Sequence, residues 1–264
     1  MKIYTTTDVC LCADAVVALG CFDGVHLAHR EVISKAVEIA RDRGYRSVVW
    51  CFSEPPKNTY APTPVKLISD FDEKAMLIRQ LGVDDLVMPA FTRDFAKVSA
   101  ESFVNDILVR GAGAKHLVCG KNYTFGYKGQ GDVSLLYEMC QMLGVGLTVV
   151  DDVTLDGVGV SSTLVREAVE CGQLLYAARL LGRDFSLVGE GVVTDGDNTV
   201  VTLRKKLLVP PCGTYFCQVC RGARKTDGKV DVRCDEANTY LYIKGIYEGK
   251  IRVVFRSNRA YKDQ

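Results

Sequence analysis

Two histidines three residues apart, His26 and His29, follow a glycine-bracketed run, Gly20-Cys21-Phe22-Asp23-Gly24, which comes directly after the apolar stretch Ala15 to Leu19. A strand that feeds a tight glycine turn and opens a helix is a phosphate site, because the free N–H groups and dipole of the helix's first turn favour negative charge. Gly20 and Gly24 let the backbone turn sharply and approach a ligand closely. On a first helical turn the two imidazoles share one face. A metal is one use for such a pair, but without a third Cys, His or carboxylate in the same segment it makes an incomplete zinc site. Capping or packing is another. Contact with a nucleotide phosphate accounts for the histidines and the glycines together.

A second candidate anion cradle is Val160-Ser161-Ser162-Thr163-Leu164-Val165-Arg166. Ser161 or Ser162 reads as an N-cap and Arg166 falls about one turn inside, so hydroxyls, free N–H groups and a guanidinium can converge on one anion. An ordinary serine cap with a solvated arginine is the plainer alternative. Between the two cradles, Gly120 to Asp132 mixes three aromatics with four glycines. Aromatics in a flexible loop beside a phosphate site suit stacking on a flat heterocycle; otherwise they pack down on the sheet.

The elements that would position these groups alternate β-branched runs with helix-period segments, the pattern of a doubly wound parallel sheet. Five strands are expected, at Ala15 to Leu19, Ser47 to Phe52, Asp85 to Met88, His116 to Cys119 and Leu147 to Asp151. Helices are expected at about Leu27 to Arg43, Asp72 to Leu81, Ser99 to Arg110 and Val133 to Leu143, with Gly44, Gly82, Gly111 and Gly144 as left-handed C-terminal residues. Right-handed crossovers then gather ligand sites at the C-terminal strand edges, where the polar loops fall.

The chain has 264 residues, 48% of them hydrophobic, enough for one large or two medium domains. Its 33 basic and 32 acidic residues leave a net charge of +1, so no strong field favours nucleic acid or an anionic membrane, and neither is expected as a partner. The absence of a bilayer-length apolar run, and of an apolar signal core in Met1 to Cys12, points to a cytoplasmic protein. Eleven cysteines in a chain of this kind read as reduced thiols. Cys217-x-x-Cys220 has metal spacing, but Thr214 to Cys220 reads as a strand, where positions three apart face opposite sides.

Gly24 with His26-x-x-His29 resembles the HxGH signature of the nucleotidylyltransferases, and the fuller string Gly-x-Phe-Asp-Gly-x-His-x-x-His at residues 20 to 29 resembles, more narrowly, the bacterial FAD synthetases. The glycine usual between the histidines is Ala28, a small intrusion that the site should survive. The likeness continues through Phe91-x-Arg93-x-Phe95-Ala96, Gly120-x-Asn122-Tyr123-Thr124-Phe125-Gly126, the Ser-Ser-Thr-x-x-Arg string at residues 161 to 166, and Ala178-Arg179-Leu180-Leu181-Gly182-Arg183. The Ser53-Glu54-Pro55-Pro56-Lys57 loop matches the family's Phe-x-Pro-His-Pro segment only in outline, without its histidine.

Beyond Arg183 short alternating strands take over, punctuated by turn residues, which reads as a small β-barrel or sandwich. Gly191-Val192-Val193-x-Asp195-Gly196, Gly213-Thr214-Tyr215 and Tyr247-x-Gly249-Lys250-x-x-Val253 resemble the riboflavin kinase module of bifunctional FAD synthetases. That module carries a Gly-x-Pro-Thr-Ala-Asn string, whose threonine and asparagine serve Mg²⁺ and the ATP phosphates. Asp197 to Lys206 lacks it, and Thr239 to Ile246 holds no acid for the module's basic glutamate, Glu236 being poorly placed. Packing or oligomer contacts are the preferred use of this domain, with the oligomeric state left open.

The resemblance therefore implies an α/β fold: a Rossmann-like nucleotidylyltransferase domain with a parallel five-stranded sheet over residues 1–183, then a degenerate riboflavin kinase-like β-barrel over residues 184–264. The implied reaction moves AMP from ATP, taken with Mg²⁺, to the phosphate of FMN, giving FAD and pyrophosphate, with no kinase activity. His26, His29 and Arg166 are the implied catalytic residues. ATP would meet Gly20, Phe22, Asp23, Gly24, both histidines, Ser161, Ser162, Thr163 and Arg166. Asp23 either reaches Mg²⁺ through water or only shapes the turn, and the metal ligands stay unassigned. Asn122, Tyr123, Thr124 and Phe125 are the flavin-side candidates. The rival readings are a bifunctional enzyme with an unfamiliar kinase site, a flavin- or nucleotide-binding regulator without catalysis, and a nucleotidylyltransferase for another substrate.

Overall fold

The computed structural model describes every residue except 12, 195–196, 205, 235–238 and 257–264. Asp195 and Gly196 of the barrel fragment, Lys205 of the Asp197 to Lys206 stretch, and Glu236 thus lie outside the described residues. By internal contacts the chain forms two units, Met1–Pro64 with Lys74–Gly159, and Val65–Glu73 with Val160–Gln264.

The first unit is a parallel sheet in the order β1-β4-β3-β2-β5-β6, built from β1 (Lys2–Tyr4), β2 (Ala15–Leu19), β3 (Arg46–Trp50), β4 (Asp85–Val87), β5 (Ala114–Gly120) and β6 (Gly146–Val150). The sheet has six strands where five are expected from the sequence. The extra one, β1, is a three-residue edge strand whose solvent-facing Lys2 and Ile3 carry no alternation for a sequence reading to catch. Every residue of β2 is buried, which explains its continuous apolar run. From β2 the chain proceeds to β3 and β4 on one side and then crosses to β5 and β6 on the other, placing the strand-order reversal beside β2.

Helix α1 (Leu27–Arg43) buries Val32, Ile33, Ala36, Val37 and Ala40 along one stripe and ends on Gly44 at φ 67°. Helix α2 (Phe71–Gln80) begins after Asp70, whose Oδ1 accepts from the Glu73 N–H at 2.8 Å. The expected third helix is a single α turn, α3 (Ala100–Ser102), capped by Ser99, that widens into a π-helix over Phe103–Gly111. Gly111 belongs to that winding, and Gly113, at φ 68°, is the left-handed residue beyond it. Helix α4 (Val133–Leu143) is capped by Asp132 and stops at Gly144, φ 64°. A two-stranded ribbon, β7 (Thr154–Leu155) with β8 (Val158–Gly159), ends the unit.

The second unit starts, after Val65–Glu73, with α5 (Ser162–Glu170) and α6 (Leu174–Leu181). The change from helices to strands falls between Leu181 and Ser186. Six antiparallel strands, β9 (Ser186–Val193), β10 (Asn198–Thr202), β11 (Gly213–Arg221), β12 (Arg224–Cys234), β13 (Thr239–Lys244) and β14 (Gly249–Phe255), close into a barrel in the order β10-β13-β12-β11-β14-β9. Closure removes the unpaired edges an open sheet would expose. Leu187, Val201, Val230, Leu241 and Val253 are buried and fill its inside.

On β11, Cys217 is buried and Cys220 half-buried, consistent with opposite faces of one strand. The ten described cysteines are free, and burial pushes the Cys51, Cys119 and Cys217 thiols up to about 12.

Candidate active site

The turn after β2 forces two non-glycine residues into the left-handed region. Phe22 and Val25 adopt φ 52° and 42°, and Gly24 adopts 80°, three positive values in four residues. For Phe and Val such a conformation costs of order 1–3 kcal/mol each and persists only where surroundings over-determine it. The surroundings do so: Phe22 is 1% exposed and Val25 is buried, and a Cβ on Gly20 would lie 2.7 Å from the Phe22 ring. Gly20 is therefore required so that Phe22 can fold back beneath its own turn.

Phe22 in turn meets His29 edge-on, ring centroids 5.3 Å apart. His29 and His26 stack at 3.5 Å with an 18° interplanar angle. His26 caps α1, its Nδ1 accepting from the His29 N–H at 3.4 Å. An accepting Nδ1 puts the proton of a neutral ring on Nε2, so the cap selects the tautomer that donates from Nε2. Asp23 is 1% exposed and His26 3%, while His29 is half-buried. Ala28 lies in the first helical turn, half-buried.

A cavity of about 990 Å³ opens beside this turn, lined from all four loops that follow β2, β3, β4 and β5. Gly20 and Cys21 come from the first, Lys57 and Tyr60 from the second, Phe91, Arg93 and Phe95 to Val98 from the third, and Asn122 to Gly129 from the fourth. All four flavin-side candidates line it: Asn122 and Thr124 are exposed, Tyr123 is half-buried, and Phe125 is 6% exposed. Tyr123 and Phe125 stack at 5.8 Å, and Phe125 packs on Phe103 at 5.9 Å. Burial raises the Tyr123 hydroxyl above its ordinary value, so it stays a neutral O–H.

The residues that sequence reasoning missed are the cavity's aromatic wall. Phe52 is its hub, with Trp50 at 4.9 Å, Phe91 at 4.8 Å and Phe95 at 5.0 Å, all near-perpendicular. Phe91 and Phe95 belong to one of the quoted motifs, and Phe52 opens the proline loop, so the signal was present as aromatics clustered at strand ends. Lys57, Arg93, Lys97 and Lys128 add exposed cations to the same lining.

The second cradle belongs to the other unit. Ser161, not Ser162, is the N-cap of α5, its Oγ accepting from the Leu164 N–H at 3.2 Å. Ser162 and Thr163 occupy the first turn, and Arg166 is 9% exposed with its Nε donating to the Lys66 carbonyl at 2.8 Å. Among the described residues no three His, Cys, Asp or Glu side chains gather as metal ligands, and no helix is long and apolar enough to cross a membrane.

The FAD synthetase family model matches residues 11–164. A bifunctional riboflavin kinase/FMN adenylyltransferase of Listeria monocytogenes is 33% identical over 221 residues, 80% of this chain and 69% of that protein. A second Listeria monocytogenes protein, named FAD synthetase, is 28% identical over 76% of this chain and 80% of its own length. A solved structure described as a macrolide-efflux protein from Streptococcus pneumoniae shares the fold, with a TM-score of 0.86 at 23% identity over 100% of this chain and 94% of that one.

Proposed function

This chain belongs to the FAD synthetase family, and we propose that it transfers AMP from ATP to FMN, releasing FAD and pyrophosphate, without phosphorylating riboflavin. The observation that carries this reading is the juxtaposition of the stacked histidine pair with an aromatic-walled cavity lined from the same strand edge, a phosphate turn beside a space suited to a flat ring.

In the proposed reaction an FMN phosphate oxygen attacks the α-phosphorus of ATP, and the bond to the pyrophosphate oxygen breaks. The nucleophile is already ionised, so no general base is needed. The protein's work is alignment and charge neutralisation in the transition state. His26 and His29 stabilise charge at the α-phosphate, His26 donating from Nε2. Gly20, Asp23 and Gly24 shape the turn that brings main-chain N–H groups to the nucleotide, and Phe22 holds the His29 ring. Ser161, Ser162, Thr163 and Arg166 serve the β- and γ-phosphates. Asn122 and Thr124 offer polar contacts to the flavin, with Tyr123 and Phe125 as apolar surface. Mg²⁺ would come with ATP and supply further charge neutralisation, with ligands drawn mainly from phosphate and water, as is common for this ion.

Two observations support the loss of kinase chemistry. Asn198–Thr202, within the stretch that would carry the kinase string, forms β10 of the closed barrel. Its Thr199 hydroxyl is fully buried, donating to the Gly245 carbonyl at 2.7 Å and accepting from the Tyr247 N–H at 2.9 Å, so it is consumed inside the fold. The test is a pair of incubations with ATP and Mg²⁺. FMN should yield FAD and pyrophosphate, and riboflavin should yield no FMN. Product FMN would establish a bifunctional enzyme; FMN bound without pyrophosphate release would make the protein a binder.

A further inference from the structure

Lys74, on α2, is 1% exposed, and its ammonium donates to three main-chain carbonyls: Phe52 at 3.0 Å, Ser53 at 3.2 Å and Cys21 at 3.3 Å. An ammonium has three N–H donors, so the set is filled, and every acceptor is a neutral oxygen. Burying a charge without a carboxylate beside it is expensive, and an apolar side chain of similar volume would fill the space at lower cost. The position of the three carbonyls gives the charge a use. Cys21 belongs to the turn that leads into His26 and His29, and Phe52 with Ser53 begins the loop that walls the cavity. One side chain thus ties two ligand-facing loops together and leaves a whole positive charge beneath their junction.

We propose that Lys74 is a positioning residue for adenylyl transfer: it fixes the histidine turn against the cavity's aromatic wall, and its charge selects phosphate-bearing ligands at that junction. The inference rests on the FMN adenylyltransferase reading. Riboflavin and FMN share their ring system and differ by the phosphate, so the pair separates charge selection from plain support of the fold.

The experiment compares full-length Lys74→Gln and Lys74→Met with the parent protein. Flavin fluorescence measures riboflavin and FMN binding, calorimetry measures ATP binding, and FAD formation gives kcat and KM. Gln keeps two N–H donors without the charge, whereas Met keeps neither. Both variants should retain the parent circular dichroism, bind FMN and ATP about tenfold more weakly or worse, and bind riboflavin within about twofold of the parent. The kcat for FAD should fall further in the Met variant, which has lost the tether as well as the charge. Equal weakening of riboflavin and FMN, unchanged binding of both, or unfolding of both variants would overturn the proposal. A parent protein that binds FMN yet forms no FAD would sink the enzymatic reading separately, and the binding comparison would still decide the role of Lys74.

Discussion

Gly24 in the turn after β2 and Gly245 after β13 both adopt positive φ, at 80° and 121°, and both sit among polar groups. Around Gly245 the polar atoms answer one another: the Thr199 hydroxyl bridges its carbonyl and the Tyr247 N–H. Around Gly24 the chain turns into a helix N-terminus carrying two imidazoles, next to a cavity. The first arrangement closes a barrel. The second sets a helix N-terminus and two imidazoles at the side of a cavity, groups of the kind an anion meets. Within one chain, positive-φ glycine turns either lie in a closed hydrogen-bond network between barrel strands or lead into a helix N-terminus beside a cavity, and the element that follows distinguishes the two.

If that contrast is right, damage to the barrel should cost stability without touching chemistry. Phe255, 1% exposed between Phe185 and Tyr215, is the place to look. Phe255→Ala should destabilise by about 3–5 kcal/mol in urea or thermal melts while kcat and the FMN KM, read well below the melting temperature, stay at parent values. A kinetic change without a stability change would erase the distinction. Excising residues 183–264 is a poorer probe, because Val65–Glu73 loses its partners. Leu67 exchanges main-chain hydrogen bonds with Lys206 and Leu208, and the buried Glu73 carboxylate pairs with Ser186 and Arg252.

The mirror experiment is His29→Ala. FAD formation should drop by about 10² or more, about 2.7 kcal/mol, with FMN binding nearly intact, because the lost contact belongs to the transition state. Parallel loss of FMN affinity and turnover would move His29 from catalysis to flavin binding. A smaller effect is expected at the cavity: Asn122→Ala should raise the FMN KM by roughly three- to tenfold, the worth of one net hydrogen bond, with kcat little altered.

The smallest effect is on pH dependence. Burial, then the nearby Arg43 charge, lowers the pKa of His116, whose Nε2 lies 2.8 Å from the Thr148 hydroxyl. A histidine depressed in the folded state takes up its proton more readily when unfolded. It therefore costs no stability above about pH 6.5, and stability falls as pH drops below that value. His116→Gln should flatten the decline in Tm between pH 7.5 and 5.5. An unchanged slope would assign the acid sensitivity to other groups.

How far the sequence could be read followed the physical range of each signal. The strands around Ala15–Leu19 and the helix Leu27–Arg43 are periodic over many residues, and their ends are marked by glycine, so they were legible. The edge strand Lys2–Tyr4 was not, because its pairing with Asp85–Val87 is set by a partner eighty residues away and leaves no local pattern. The π-winding at Phe103–Gly111 escaped for a related reason: the apolar spacing of a helix does not report its hydrogen-bond register. In the candidate site the histidines stood out by type and spacing, and Asn122 to Phe125 through the family resemblance, and the latter line the cavity. Trp50 and Phe52 fell inside the expected strand Ser47 to Phe52 with no further role, since only loop packing converts an aromatic strand end into a cavity wall.

By itself the sequence determined which residue types could meet a phosphate, where helices such as Leu27–Arg43 and Val133–Leu143 begin and end, and that helices give way to strands beyond Arg183. Those properties are local, written in side-chain type, spacing and glycine. Tertiary structure alone decided that Phe22 would lie under Gly20 and orient His29, that four separate loops would line one space, and that Lys74 would bury its charge among three carbonyls. Each depends on groups far apart in the chain meeting within a few ångströms, and such distances are fixed by packing.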